Sequence, residues 1–187
     1  MEVKCTDGGE TLLLNQWFGG DESALKALVE RYQRIIFGLA FYLTGCSRDE
    51  AFVLTVSVFT EVIRSFRSLR SSQEDGFFLQ ELVRTLIGQC LTVSSTAVFD
   101  LSDFTALPAS KKELLRIVKE ALFSLSFESK CLLLLRDQWN LSYDAIAGIL
   151  GLPAKEARTK IFQARILIRD QMKEILGRTR SCRNGLR

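Results

Sequence analysis

The chain has 187 residues and contains no histidine, only two prolines and no pair of cysteines at CxxC spacing. Without an imidazole it lacks the usual general base, the nucleophile–base pairs of hydrolases and the commonest catalytic zinc ligand. A glycine-rich phosphate loop is missing as well. These absences argue against an enzyme, and we expect neither a cofactor nor a metal site.

The cysteines and the apolar runs indicate where such a protein functions. Five cysteines, an odd number, are spread widely along the chain, which predicts reduced thiols in a cytoplasmic protein. No apolar run approaches roughly 18 residues, and no basic, then apolar leader opens the sequence. We therefore expect no membrane insertion.

Apolar residues recur at spacings of three and four in most long segments, which predicts an all-α protein. The first predicted helix starts at Asp21 or Ser23 and stops at Thr44 and Gly45. The second starts near residues 47–50, passes through Phe66 and is ended by the polar stretch 71–76. The third runs from Phe77 to about Leu91.

The next segment, residues 92–110, is rich in serine and threonine and has no helical period, so it is predicted to be a flexible linker. Helical spacing resumes at Lys111. This organisation predicts two small helical domains, residues 1–91 and 111–176, followed by a flexible basic tail, residues 177–187.

Charge divides at the linker. Residues 1–100 hold nine basic and thirteen acidic side chains, a net charge of −4, whereas residues 101–187 hold sixteen and nine, a net charge of +7. Ten basic and only four acidic side chains lie within residues 142–187. Such a field attracts a polyanion, although a basic helix face that is merely solvated is an alternative explanation.

A helix-turn-helix unit is predicted in the basic segment. Ser142 can cap a short helix, Gly151 supplies a sharp turn, and Pro153 suits the first position of the next helix. The apolar positions of that second helix are Ala157, Ile161, Ala164 and Ile168. Its other face offers long cations for phosphates and groups able to contact base edges: Lys155, Arg158, Thr159, Phe162, Gln163 and Arg169. The alternative is an ordinary amphipathic helix at the end of a bundle.

These residues resemble region 4 of the extracytoplasmic-function (ECF) sigma factors of bacterial RNA polymerase. The resemblance runs without gaps over residues 122–169 and is densest at 125–127, 132–136, 141–147, 149–153 and 164–165. The first half resembles region 2 more diffusely, through its opening helix at residues 21–43 and four positions where the family is apolar: Ala51, Leu54, Phe59 and Phe66.

The resemblance implies a sigma factor that directs core polymerase to promoters. Region 4 would read the minus-thirty-five element and pack on the β flap, while region 2 would hold the β′ clamp and capture unpaired minus-ten bases. Sigma factors of this type are commonly held by an anti-sigma factor. The base-reading positions would be Arg158, Thr159, Phe162 and Gln163. The candidate phosphate contacts would be Lys155, Lys160 and Arg165.

Region 2 departs from the family pattern. The clamp-binding helix has apolar or small residues where acidic residues and a glutamine are usual: Phe52, Val53, Val56 and Ser57. The third helix has Glu81 at the position of a tryptophan and Arg84 as its single cation. Two hypotheses follow: a divergent sigma factor with a different clamp interface, or a sigma-derived helix-turn-helix regulator that does not join polymerase and binds a partner through an apolar patch.

Overall fold

The computed structural model describes residues 9–66, 76–92 and 108–184, and all regular structure in those ranges is helical. The all-α prediction is confirmed. The helices, in chain order, are α1 (Gly9–Phe18), α2 (Glu22–Thr44), α3 (Arg48–Phe66), α4 (Phe77–Thr92), α5 (Ala109–Phe123), α6 (Phe127–Leu133), a π-helical turn (Leu134–Gln138), α7 (Tyr143–Leu150) and α8 (Ala154–Asn184).

Local capping chemistry sets the ends of the first long helices. The Asp21 carboxylate accepts the backbone N–H of Ser23 at 2.9 Å and begins α2, and Gly45 ends it with φ of 69°, in the left-handed region that favours glycine. A reciprocal capping box of Ser47 and Glu50 precedes α3, with Ser47 N–H donating to the carboxylate at 2.8 Å. The predicted ends of α2 are confirmed.

The two halves of the chain share one hydrophobic core. Buried residues of α1 to α4 form a single cluster with those of α6, α7 and α8. The Trp139 ring lies on the backbone of α2 at Gly38, where a Cβ atom would come within 2.4 Å of Trp139 Cζ2. On the neighbouring seam α7 packs against α4. Glycine is needed at position 38 because the indole occupies the space of a side chain.

Outside the helix-turn-helix, the structure differs from the sequence-based expectations at three places. Helix α1 was not predicted. Helix α5 begins two residues before Lys111. The tail was predicted to be flexible from residue 177, but α8 continues through Asn184, because no proline or left-handed residue interrupts it. Most of the predicted linker, residues 93–107, and the stretch 71–75 lie outside the described residues.

Candidate nucleic-acid interface

The helix-turn-helix is built as its local sequence indicates. The Ser142 hydroxyl accepts the N–H of Ala145 at 3.1 Å and begins α7. Gly151, with φ of 66°, ends that helix and turns the chain. Pro153 was predicted at the first position of the second helix, but it lies one residue before α8, where its carbonyl accepts the N–H of Ala157 at 3.0 Å.

One face of α8 is buried and the opposite face is open. The expected core positions Ala157, Ile161 and Ala164 are buried, and Ile168 is half-buried. Phe162 is 63% exposed, which is unusual for a phenylalanine in a helix packed on a core. The other predicted contact residues on that face are also exposed: Lys155, Arg158, Thr159 and Gln163.

Two of the predicted phosphate contacts lie at the flanks of this face and are paired with carboxylates. Lys160 Nζ lies 2.6 Å from Glu128 and 3.2 Å from Glu156. Arg165 pairs with Asp137. The hydrogen bonds to Glu128 and Asp137 raise the pKa values of Lys160 and Arg165, respectively. These two cations therefore help to hold α8 against α6 and the π-helical turn.

A surface cleft of about 450 Å³ lies where α7 and α8 begin. The Tyr143 ring stands in its wall, with the guanidinium carbon of Arg136 at 4.6 Å and that of Arg158 at 5.0 Å from the ring centroid. Both distances are within the range of cation–π contacts. The remaining wall residues are Ser142, Asp144, Ala154 and Lys155.

The α3 surface presents a different chemistry. Phe52 is 61% and Val53 67% exposed, and Val56 and Ser57 are also open to solvent. The opposite side of α3 is buried in the core, for example at Val58. We call the four exposed residues the α3 patch. Its apolar members, Phe52, Val53 and Val56, are exposed and do not belong to the core cluster.

Helix α4 offers little free cationic surface. Arg84 pairs with Glu81, and its Nη2 donates to the Gly148 carbonyl on α7 at 3.3 Å. The Gln80 side chain lies against the same glycine, because a Cβ atom at position 148 would meet it at 3.4 Å. The single cation predicted for α4 is thus engaged at the seam with the second half.

A comparison with known proteins found sequence similarity to a sigma factor. The chain is 25% identical over 178 residues to the ECF RNA polymerase sigma-E factor of Haemophilus influenzae. The alignment covers 84% of this chain and 92% of that protein. No protein-family model matches.

A solved structure shows the same fold. CnrH, determined in complex with the cytosolic domain of CnrY, superposes with a TM-score of 0.71 at 18% identity, over 89% of this chain and 98% of that one. Because the alignment covers most of both chains, the shared fold includes both halves.

The described residues contain neither a metal-binding cluster nor a membrane-spanning helix. Among residues 9–66, 76–92 and 108–184, no group of three or more histidine, cysteine or acidic side chains is placed to hold a metal ion. In the same ranges no helix is both long enough and apolar enough to cross a bilayer. Burial raises the pKa values of Cys90 and Cys131 to about 12, so both thiols stay protonated at neutral pH.

Sequence reasoning missed two residues that shape the molecule. Tyr143 was noted only as part of the family resemblance, yet its ring contacts two arginines in the cleft. Glu10 is 1% exposed, accepts the Phe78 N–H at 2.9 Å and is hydrogen-bonded by the Tyr32 hydroxyl. The position of Tyr143 between Arg136 and Arg158 in the sequence could have indicated its role. No local signal indicates that Glu10 is buried.

Proposed function

We propose that this protein is an ECF-type sigma factor that joins core RNA polymerase and directs it to specific promoters. The observation that carries the proposal is the helix-turn-helix of α7 and α8, whose exposed face holds residues suited to base edges at the end of a half with net charge +7. The similarity to the Haemophilus influenzae sigma-E factor supports it.

In this proposal α8 enters the major groove of the minus-thirty-five element. Gln163 can form a bidentate pair with adenine, and Thr159 and Phe162 can contact thymine methyl groups. The second half would also pack on the β flap, and the first half would bind the β′ clamp through the α3 patch. The protein would act in the cytoplasm, where the polymerase lies.

An anti-sigma factor is a further proposed partner. CnrH was solved with the cytosolic domain of CnrY, and this chain shares the fold of CnrH over both halves. An exposed apolar α3 patch is the kind of surface that such a protein could cover.

The α3 patch also favours a second candidate function, a helix-turn-helix regulator that binds DNA without polymerase. Its apolar side chains replace the polar residues that the family places on its clamp-binding helix, and the Arg84 cation of α4 is engaged by Glu81 and Gly148. Stacking and backbone neutralisation, which provide most single-strand affinity, would be weak there.

The experiment that separates the two candidates uses the full-length protein and bacterial core polymerase. A sigma factor co-elutes with core in gel filtration and permits the complex to initiate RNA at discrete sites on a library of genomic fragments. A regulator binds selected duplexes but leaves core unbound. If folded protein neither joins core nor supports initiation, the sigma factor proposal is wrong.

A Gln163→Ala, Thr159→Ala double variant provides the matched control. Both side chains are exposed, so folding and binding to core polymerase should be unchanged. Promoter selection should be lost. Loss of core binding in the same variant would show that this face of α8 contacts polymerase rather than DNA.

A further inference from the structure

The cations of α8 differ in whether they have a carboxylate partner. Lys155 and Arg158 pair with none among the described residues, and both line the cleft at the start of α8. Every other cation of α8 whose side chain is described lies within 4 Å of an acidic oxygen: Lys160, Arg165, Arg169, Lys173 and Arg178. The two cations without a carboxylate partner are therefore concentrated at one place.

The cleft gathers a third cation against the same aromatic ring. Arg136 lies over Tyr143, and its Nη1 donates to the Leu141 carbonyl at 2.7 Å, which fixes the guanidinium in the wall. Three cations thus face one carboxylate, that of Asp144. Their mutual repulsion would be relieved by an anion, and the first turns of α7 and α8 add backbone N–H groups of the same polarity.

Arg158 is held away from an outstretched, base-reading conformation. Its guanidinium carbon is 5.0 Å from the Tyr143 ring centroid, so the side chain lies back across the start of α7. Among the described residues, Thr159, Phe162 and Gln163 have no comparable aromatic partner. The Thr159 hydroxyl donates to the Lys155 carbonyl at 3.0 Å within α8. Arg158 and the other residues of the face are thus arranged for different tasks.

We propose that this cleft holds a phosphate of the DNA backbone, with Lys155 and Arg158 as its ligands and with Tyr143 and Arg136 as positioning residues. The inference rests on the proposed DNA binding and deepens it. It moves Arg158 from the base-reading set, where the sequence resemblance placed it, to the phosphate contacts. Base reading is left to Thr159, Phe162 and Gln163.

The test measures the affinity of the full-length protein for two duplexes, one selected from a random pool and one of unrelated sequence, at several salt concentrations. Arg158→Ala and Lys155→Ala should each weaken binding to both duplexes by the same severalfold factor. Each should also lower the slope of log affinity against log salt by about one. Lys26→Ala, which removes an exposed cation of α2, is the matched control and should change neither quantity.

A double-mutant cycle tests the role of Tyr143. Tyr143→Phe keeps the ring and should bind like the native protein, whereas Tyr143→Leu should weaken binding to both duplexes. In the Arg158→Ala background Tyr143→Leu should have little further effect, because the residue that it positions is gone. Additive losses would mean that Tyr143 only supports the fold, and the positioning role would be wrong.

Three results would overturn the phosphate assignment. If Arg158→Ala weakens only the selected duplex and leaves the slope unchanged, Arg158 reads a base. If neither Arg158→Ala nor Lys155→Ala alters binding, the DNA backbone lies elsewhere. The same conclusion follows if inorganic phosphate binds the cleft without changing the affinity of the protein for DNA. If the native protein binds no duplex at all, DNA binding itself fails, and that outcome is distinct from the other two.

Discussion

The two halves of the molecule bury similar helical stripes but expose opposite chemistry. In the first half α3 directs Val58 into the core and leaves Phe52 and Val53 in solvent. In the second half α8 buries Ala157 and Ile161 and exposes cations and amides. The buried stripe of each helix therefore reports only the fold. Under the proposed function, the exposed stripe binds the partner, a protein at α3 and nucleic acid at α8.

Removal of the α3 patch should produce the largest loss of polymerase binding and tests the first side of this comparison. We expect Phe52→Ser with Val56→Ser to weaken binding to core polymerase by roughly thirtyfold or more, about 2 kcal/mol, because interface anchors of this size are rarely replaceable. The free energy of unfolding should change by less than about 0.5 kcal/mol, since both side chains are exposed. Titration of core polymerase and urea unfolding measure the two quantities.

Leu12→Ser provides the matched control for this pair. Leu12 is an exposed apolar residue on α1, outside the α3 patch, so its replacement should leave polymerase binding unchanged. An equal loss of affinity in both variants would mean that general surface polarity, rather than α3, determines the binding.

The seam between the halves is tested by Gly38→Ala. The added Cβ would lie 2.4 Å from Trp139, so the indole must move, and we expect a loss of about 1–3 kcal/mol in unfolding free energy. Gly88→Ala in α4 meets nothing within 4 Å and should instead stabilise by up to about 1 kcal/mol. Equal urea midpoints for the two variants would show that Trp139 does not rest firmly on α2.

The nucleic-acid side of the comparison is tested at a single base pair. We expect Gln163→Ala to cost about 1–3 kcal/mol on the selected duplex and to abolish discrimination at one position, because a bidentate contact is lost. Affinity for unrelated duplexes should stay the same. A uniform loss across sequences, measured by competition with single-base variants, would remove Gln163 from the base-reading set.

The smallest effect concerns the buried Glu10 carboxyl. Burial raises its pKa above the ordinary value of 4.5, against the opposing hydrogen bonds from Tyr32 and Phe78 and the charge of Arg31. A raised pKa in the folded state stabilises the protein at low pH, and this contribution is lost as the pH rises through the folded-state pKa. Glu10→Gln removes the titration and retains an acceptor for the Phe78 N–H.

The variant should therefore gain stability relative to the native protein as the pH rises above about 4.5. Urea unfolding between about pH 4 and pH 8 would measure the difference. Parallel stability curves for the two proteins would mean that Glu10 ionises in the folded state as easily as in the unfolded state.

Local signals account for what could be predicted from the sequence. Asp21, Gly45, Ser142 and Gly151 act within four residues of their own positions, so the ends of α2 and the turn between α7 and α8 could be read directly. Alternating burial along α8 follows from its 3.6-residue period. These elements and the all-α class required no knowledge of distant contacts.

Contacts between distant residues explain what could not be predicted. Lys160 and Arg165 are residue types that commonly bind phosphate. Their carboxylate partners, Glu128 and Asp137, lie 32 and 28 residues away in the sequence. Glu10 is buried because Phe78, 68 residues on, supplies a backbone donor. A charged residue near the start of a short helix gives no local sign that it is buried.

The packing of Trp139 against Gly38 has a consequence for folding during synthesis. The two residues are roughly a hundred positions apart. Contacts between residues so distant in sequence form late in folding, because closing the long loop between them costs conformational entropy. On the ribosome α2 is complete well before Trp139 is synthesised. We therefore expect the surface of α2 around Gly38 to be exposed to solvent in the newly synthesised first half. It becomes buried once Trp139 of the second half packs against it.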